Sequence, residues 1–569
     1  MADSKKTLLR AAILIMILSA TLLLLRFLSV GRLGMSPVIA NTIFIAALAA
    51  YLVSLVTCSI VTENRNRSWV ILAFTVLLAV LLRMIPNLLL EYPPLNDPYY
   101  EIVGHRNVAL FGTISPGQGN WYPQMSTLMH WPLMVILSGS SQQVSGLEEM
   151  FFIRFFAPLL SPVFVLSVYL LGREITRDNR IANLAAIMAA CIDVIVFNQS
   201  EYHPQGVAIS LFFLVLFSMT RANRTRRPVF TSMFALFAFS LVLSHHFTSF
   251  LITGLGAIMI LVCSLDRPIG GGGKTEHSAK GMQKKYSSFI DNWALLVVVG
   301  LAFASFVGSS TMKEFFEMTM GSIPNSKLIT YGSGVPIMVT VLGTYKWILI
   351  LLALPAILLV LKKKTREARH IVFVLGAILV SMAVVNFLTG GPQDRLIAFS
   401  FPMVSLLVAM TFVSWISRDT RRTGRRRTVV AATVLTTLAL MSVLNSQIPA
   451  IYFMGTQPDT YYWYSNDLST NSHYESAGLW ISQHTDKNAT FTTEFDTFVI
   501  PFYYAEFPIS QRTLITNANA SIEGLFVMNP NIIYRYHGYY LNKNAILQDA
   551  NYIKLFDDGQ VNMLVERTL

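Results

Sequence analysis

Apolar residues run through this chain in blocks of about twenty, separated by short connections that are alternately basic and not basic. Twenty residues of helix rise about 30 Å, the thickness of bilayer hydrocarbon, so each block predicts a membrane-spanning helix. The blocks fall near 11–30, 37–62, 68–90, 150–171, 181–198, 206–220, 229–244, 248–265, 290–309, 335–361, 370–387, 396–416 and 428–447. They predict a polytopic α-helical membrane protein with about 13 transmembrane helices. A shorter apolar stretch at 128–140 cannot cross the hydrocarbon and reads as an interfacial helix.

The polar punctuation predicts sidedness. Lys5, Lys6 and Arg10 precede a first block that is too long for a signal-peptide core and lacks a small-residue cleavage site, so it reads as a retained span with the N-terminus inside. The connections ENRNR (63–67), GREITRDNR (172–180), RANRTRRP (221–228), KKKTREARH (362–370) and SRDTRRTGRRR (417–427) all then fall on the cytoplasmic side. An odd number of spans places 448–569 outside the cell membrane. There the pattern changes: YESAGLWISQHT (474–485) has helical spacing, ATFTTEF (489–495) alternates as a strand, and YIKLFDDGQVNMLV (552–565) reads as a hairpin around Asp-Asp-Gly. A small C-terminal α/β extracytoplasmic domain is predicted.

Composition sharpens this picture. Hydrophobic residues make up 53% of 569 and charged residues only 13%, with a mean hydropathy of +0.53. A soluble chain would carry about a quarter charged residues. The net charge of +12 would suit a nucleic-acid partner in a soluble protein, but here the basic residues mark loop topology, so nucleic acid is excluded as a partner. Cys58, Cys191 and Cys263 lie in or at the ends of apolar blocks with no pairing spacing, which argues against disulfides and a thiol metal site. The glycine run 270–273 follows no strand and lacks a Gly-Lys-Ser/Thr ending, so it reads as a linker.

The candidate chemistry lies in the connections predicted to face outward. In EYPPLNDPYYE (91–101), Asp97 precedes a proline, which steers its backbone away from helix. It reads either as a turn residue or as a general base or metal ligand, beside Glu101 and with Tyr99, Tyr100, Trp121 and Tyr122 as faces for a sugar. In NQSEYHPQG (198–206), Glu201 and His203 are two apart, so an extended backbone would aim both to one side, to share a cation or a proton or to cap helix ends. In LSHHFTS (243–249), adjacent His245 and His246 would point about 100° apart on a helix, so at most one is a ligand. In TGGPQDRLIAFS (389–400), Arg395 offers a fork suited to a lipid phosphate, or it snorkels or pairs with Asp394. Polar groups at membrane depth are costly, so their recurrence in successive connections on one side points to a site. Of the charged residues within the blocks (Arg26, Arg83, Arg154, Asp193 and Lys346), Asp193 stands out; the others reach a predicted end.

NDPYYE followed by an interfacial helix, SEYHP, a late GPQDR and a tail opening ESAGLWISQHTDKNATF together resemble the GT-C superfamily of membrane glycosyltransferases. The tail opening is similar to that of archaeal oligosaccharyltransferase-like and dolichyl-phosphate-sugar-dependent enzymes. The resemblance implies two extra N-terminal helices in 1–67, a GT-C-like catalytic core in 68–447 with an outer loop at 91–149, and the outer domain at 448–569. It also implies that Asp97 is the catalytic residue and Arg395 the donor-phosphate ligand, and that Glu201 and His203 sit at a metal-binding element, the cation being Mg or Mn. The partners it implies are a polyprenyl- or dolichyl-phosphate-linked sugar and a glycan, lipid or protein acceptor at the bilayer. Here the element is Glu-x-His where the family has Asp-x-Asp, and the tail has WYSND (463–467) in place of a WWDYG-type peptide-acceptor motif. Competing classes are a transporter or flippase of a lipid-linked or polar solute and a non-catalytic scaffold.

Overall fold

The computed structural model describes residues 10–23, 37–89, 132–245, 344–363, 393–417 and 421–452, with shorter stretches within 101–112, 248–257, 294–301 and 476–566. The described chain is mostly helical. Its helices are α1 (Arg10–Leu23), α2 (Pro37–Val61), α3 (Arg65–Leu89), α4 (Leu133–Ser145), α5 (Glu149–Thr176), α6 (Asn179–Ala190), α7 (Asp193–Ser200), α8 (Pro204–Thr225), α9 (Pro228–Ser244), α10 (Tyr345–Lys363), α11 (Gln393–Ser417) and α12 (Arg421–Tyr452). Among the described residues six helices are long and apolar enough to cross a membrane: Thr42–Val61, Arg65–Met84, Glu149–Thr176, Pro204–Thr225, Ile397–Ser417 and Arg426–Asn445. The blocks near 248–265, 290–309 and 370–387 lie wholly or partly outside the described residues.

The helices bury one face and leave large apolar side chains on the other. Val53, Leu236, Phe239, Trp347, Leu351 and Leu358 are exposed on the protein surface. Water would penalise such a surface, whereas lipid tails do not, and a helix satisfies its own backbone in lipid. The chain is therefore a membrane protein.

The block at 181–198 departs from its predicted form. It is not a straight helix but two short ones, α6 and α7, meeting at a 63° bend, a broken span or a re-entrant loop. The periodicity of apolar residues continues across the break, so the pattern conceals it. Asp193 follows the break: it starts α7, and its carboxylate takes the backbone N–H of Val194 at 2.7 Å.

The chain divides into two compact units, residues 1–89 with 154–455 and residues 90–153 with 456–569. In the first, α11 is buried along most of its length and packs on α6 and α10. Edge-to-face rings join its core, Phe164 to Phe213 at 5.7 Å and Phe212 to Phe399 at 5.0 Å between centroids. Inside the same unit Ser68 takes bonds from Asn183 and shares one with Tyr169, each 2.9 Å, tying α3, α5 and α6. Three basic connections meet. Arg180 pairs with Glu63 at 2.9 Å, and Glu174 takes Arg221 and Arg224 at 2.9 Å each. Connections predicted to share one side of the membrane are thus in contact.

In the second unit, strands β1 (Phe491–Thr493), β2 (Arg512–Leu514), β3 (Leu525–Met528), β6 (Tyr552–Asp557) and β7 (Asn562–Glu566) form a mixed sheet in the order β2-β1-β3-β7-β6. A separate ladder pairs β4 (Arg535–Tyr536) with β5 (Tyr539–Tyr540). The alternating stretch at 489–495 holds β1, and the segment around Asp-Asp-Gly is the antiparallel hairpin β6–β7. Residues 476–484 are helical. Helix α4 overlaps the stretch read as interfacial, starting five residues later.

His105 fixes α4. Its Nδ1 meets Ser138 Oγ at 2.8 Å and its Nε2 meets Gln142 Oε1 at 2.6 Å. Gly139 permits the close approach, because a Cβ there would lie 2.9 Å from the His105 carbonyl. Ser138 is wholly buried, so this serine–histidine contact holds helices together instead of arming a nucleophile. Beside it Arg106 grips Glu149 with two bonds of 2.9 Å.

Burial holds the His105 imidazole below its usual pKa of 6.5, against opposing contributions from Gln142 and Glu149. The folded protein binds this proton less readily than the unfolded chain. The ring's contribution to stability is complete above pH 6.5 and is lost as the pH falls through the depressed folded value. Thermal unfolding of the purified protein followed from pH 8 to pH 5 is expected to show lower midpoints at the acid end, and His105→Asn is expected to flatten that trend.

Candidate functional site

The site is assembled where α7 passes into α8. Helix α7 ends at Ser200, Glu201 is extended at φ −105°, ψ 154°, and His203 is extended at φ −138°, ψ 135°, as the residue before Pro204 must be. Pro204 takes the first position of α8, where its missing N–H costs nothing. Between them the His203 N–H bonds the Glu201 carbonyl at 2.9 Å, a tight turn centred on Tyr202. Tyr202 is wholly buried, with its ring 6.4 Å from Phe156. The carboxylate and imidazole are therefore not two rungs on one side of a straight strand, as their spacing predicts. The turn buries Glu201 and leaves His203 half-buried.

The turn is held rigidly. Gln199 accepts from Arg83 Nε at 2.7 Å and donates to the Gly206 carbonyl at 3.3 Å and Ser210 Oγ at 3.2 Å, joining α3, α7 and α8. Asn87 donates to the Ser200 carbonyl, and its own carbonyl takes two bonds from Arg154. Gly206 lets α8 press on α7: a Cβ there would lie 2.6 Å from the Asn198 carbonyl.

Two predicted histidines come together. The His203 and His245 rings lie 5.8 Å apart between centroids, although 42 positions separate them in the chain. Each caps the helix that follows it. His203 Nδ1 accepts the Gln205 N–H at 3.1 Å, and His245 Nδ1 accepts the Thr248 N–H at 3.4 Å while meeting Thr248 Oγ1 at 3.1 Å. A ring nitrogen that accepts carries no proton, so both neutral rings bear their hydrogen on Nε2. Each ring thus carries a single N–H, on Nε2, at a helix N-terminus, and Glu201 precedes His203 by two residues. That arrangement suits an anionic oxygen.

It suits a metal less well. A cation would need the Nε2 lone pair of His203, hence a proton on Nδ1 and loss of the bond from Gln205. A doubly protonated His203 would lose the same bond. Among the described residues no group of three or more His, Cys, Asp or Glu side chains can hold an ion. A Mg or Mn ion on Glu201 and His203, as the resemblance implies, would require that rearrangement of His203.

The other expected residues are placed as follows. Asp394 and Arg395 lie in the first turn of α11. Glu101 belongs to the second unit and is buried, 4% exposed. Asp97, Tyr99, Tyr100, Trp121, Tyr122 and His246 lie outside the described residues. Sequence reasoning missed Arg83, Asn87 and Arg154. Arg83 and Arg154 stand near the ends of apolar blocks, which disguised them as interfacial residues, and Asn87 carries no charge to mark it. Arg83 is wholly buried.

Neither a protein-family model nor a curated protein sequence matches the chain. Solved structures do. The archaeal oligosaccharyltransferase AglB from Archaeoglobus fulgidus, in complex with an inhibitory peptide and a dolichol-phosphate, superposes with a TM-score of 0.54 at 12% identity over 88% of this chain and 74% of that one. ArnT from Cupriavidus metallidurans bound to undecaprenyl phosphate gives 0.51 at 10% identity over 87% and 97%, and its apo form gives 0.54. Both are GT-C glycosyltransferases. The chain has the GT-C fold. The GT-C expectation from NDPYYE, SEYHP and GPQDR is thereby met at the level of architecture.

The capping geometry separates two jobs of His203. Asparagine can cap through its side-chain oxygen but does not reproduce the Nε2–H. His203→Asn is expected to keep the wild-type melting temperature, while His203→Ala lowers stability by about 1 kcal/mol. Thermal denaturation of both variants in detergent checks this.

Proposed function

We propose that this protein is a membrane glycosyltransferase that moves a sugar from a polyprenyl-phosphate carrier to an acceptor on the outer face of the cell membrane. What carries the reading is that two dissimilar enzymes with this fold have been solved holding polyprenyl phosphates, dolichol-phosphate in AglB and undecaprenyl phosphate in ArnT. The paired histidine caps carry N–H groups of the kind a phosphate oxygen takes.

In this reading the anomeric carbon of the lipid-linked sugar is attacked by an acceptor hydroxyl or amide. Asp97 takes the acceptor proton, and a single displacement inverts the anomeric centre. His203 and His245 donate through Nε2–H to the departing phosphate, and Arg395 adds its guanidinium as negative charge grows there. Tyr99, Tyr100, Trp121 and Tyr122 provide the sugar-stacking faces and Glu101 a contact to the sugar or acceptor. Residues 68–447 form the catalytic core, with 1–67 added before it and 448–569 outside the membrane. The lipid is already an activated donor, so no nucleotide site is required.

Asp97→Asn tests the reading. In nanodiscs loaded with polyprenyl-phosphate glucose, mannose or galactose and supplied with an added alcohol as acceptor, the wild-type protein is expected to form the glycoside and release polyprenyl phosphate from one of the three. The variant, expressed at the wild-type level, is expected to release it at least about 100-fold more slowly. Undiminished release would remove Asp97 as the base. Movement of a solute across sealed vesicles with no glycosidic product would replace the reading with a transporter.

A further inference from the structure

We propose that Asp193 is the positioning residue of the Glu201–His203 turn, acting through α7 as a strut; the catalytic part of this inference rests on the reading just given. Helix α7 has eight residues and is about 12 Å long, too short to hold its own direction. Its direction is imposed at its two ends.

At the first end the Asp193 carboxylate is saturated. Oδ1 accepts from Tyr345 Oη at 2.6 Å and from the Val194 N–H at 2.7 Å. Oδ2 accepts from Asn445 Nδ2 at 2.5 Å and pairs with Lys346 Nζ at 3.1 Å. The Asp193 N–H donates to Ser442 Oγ at 3.1 Å. Tyr345 and Lys346 open α10, and Ser442 and Asn445 lie on α12. One residue thus ties α7 to two other helices. At the far end Gln199 and Ser200 are held by Arg83 and Asn87 of α3.

The next residue after that far end is Glu201. No flexible linker stands between the strut and the turn, so a tilt of α7 about its α3 anchorage is passed directly to the carboxylate and to the His203 ring. The Asp193 side chain is 6% exposed and that of Lys346 21%. Burying such a pair is costly, and removing one partner alone leaves a buried charge uncompensated; replacing both by neutral groups of similar shape avoids that.

The experiment uses the full chain in nanodiscs, with two readouts. Hydrogen exchange of the amides in 194–206 reports where the strut stands, without reference to any reaction. Release of polyprenyl phosphate from the active polyprenyl-phosphate sugar reports turnover. Asp193→Ala is expected to speed exchange across 194–206 and lower kcat by at least about tenfold, since a displacement of about 1 Å can cost more than that. The paired change Asp193→Asn with Lys346→Met is expected to return both readouts to within about threefold of wild type. If Asp193→Ala fails to accumulate, Lys346→Met alone, which strips the cation and leaves the carboxylate, is expected to show the same losses.

Unchanged exchange and turnover in the single variants would overturn the proposal. So would a paired variant with wild-type exchange and no turnover, because the carboxylate would then act in the chemistry itself. A wild-type protein that turns over no donor while the exchange results hold would sink the glycosyltransferase reading and leave the strut standing.

Discussion

The structure depends on one constraint: backbone amides and carbonyls shielded from water must find partners within the protein. An unbroken helix meets it unaided. The chain breaks the rule's easy solution between Ala190 and Asp193: the Cys191 and Ile192 N–H groups fall back on the Met188 and Ala189 carbonyls, and three further groups are taken up by side chains. The Ala190 carbonyl receives Arg83 Nη1 at 3.1 Å, Asp193 N–H reaches Ser442, and Val194 N–H turns to the Asp193 carboxylate. A bend of 63° becomes tolerable only because α3, α10 and α12 surround it. The bend in turn sends α7 to the place where Glu201, Tyr202 and His203 turn into α8.

The same accounting explains the histidines. A helix that starts at membrane depth exposes N–H groups that lipid cannot satisfy, and a side chain must cap them. Serine or aspartate would cap and offer nothing further. Imidazole caps with one nitrogen and retains a second polar group on the other side of the ring. His203 and His245 do this for two helical segments, so a requirement of folding brings two imidazoles to 5.8 Å between ring centroids. The fold and the candidate chemistry share these atoms, which is why a change at either histidine must be judged by stability and by activity together.

Much of the architecture was legible because hydrocarbon imposes a strong pattern. Long apolar blocks and the period-two stretch around Asp-Asp-Gly each have one simple structural solution, and α8, α9 and the β6–β7 hairpin follow it. The α6–α7 break was not legible. Its apolar residues continue in helical phase, and the only surface sign is one aspartate whose partners lie 152 and 252 positions away. The tight turn at Tyr202 was hidden for a related reason: spacing by two implies one side only if the backbone stays straight, and a buried tyrosine bends it. Buried Arg83 was misread because arginine near a block end usually reaches the interface. It meets instead a carbonyl that no helix pattern shows to be free.

The low identity to AglB and ArnT, 12% and 10%, follows from the same physics. Lipid-facing and core positions of a span accept any of several apolar residues of similar size, so sequence drifts while helix directions persist. Polar ties drift less easily, because each satisfies a named atom. A broken span by itself also occurs in transporters, where paired half-helices leave their termini vacant for a solute. Here the start of α7 is already filled by Tyr345, Lys346, Asn445 and Ser442 from the same chain. Such a terminus anchors; it does not bind cargo. Glu201 and His203 follow the opposite end of α7, about 12 Å along the helix from this anchorage, and it is there that the proposed chemistry stands.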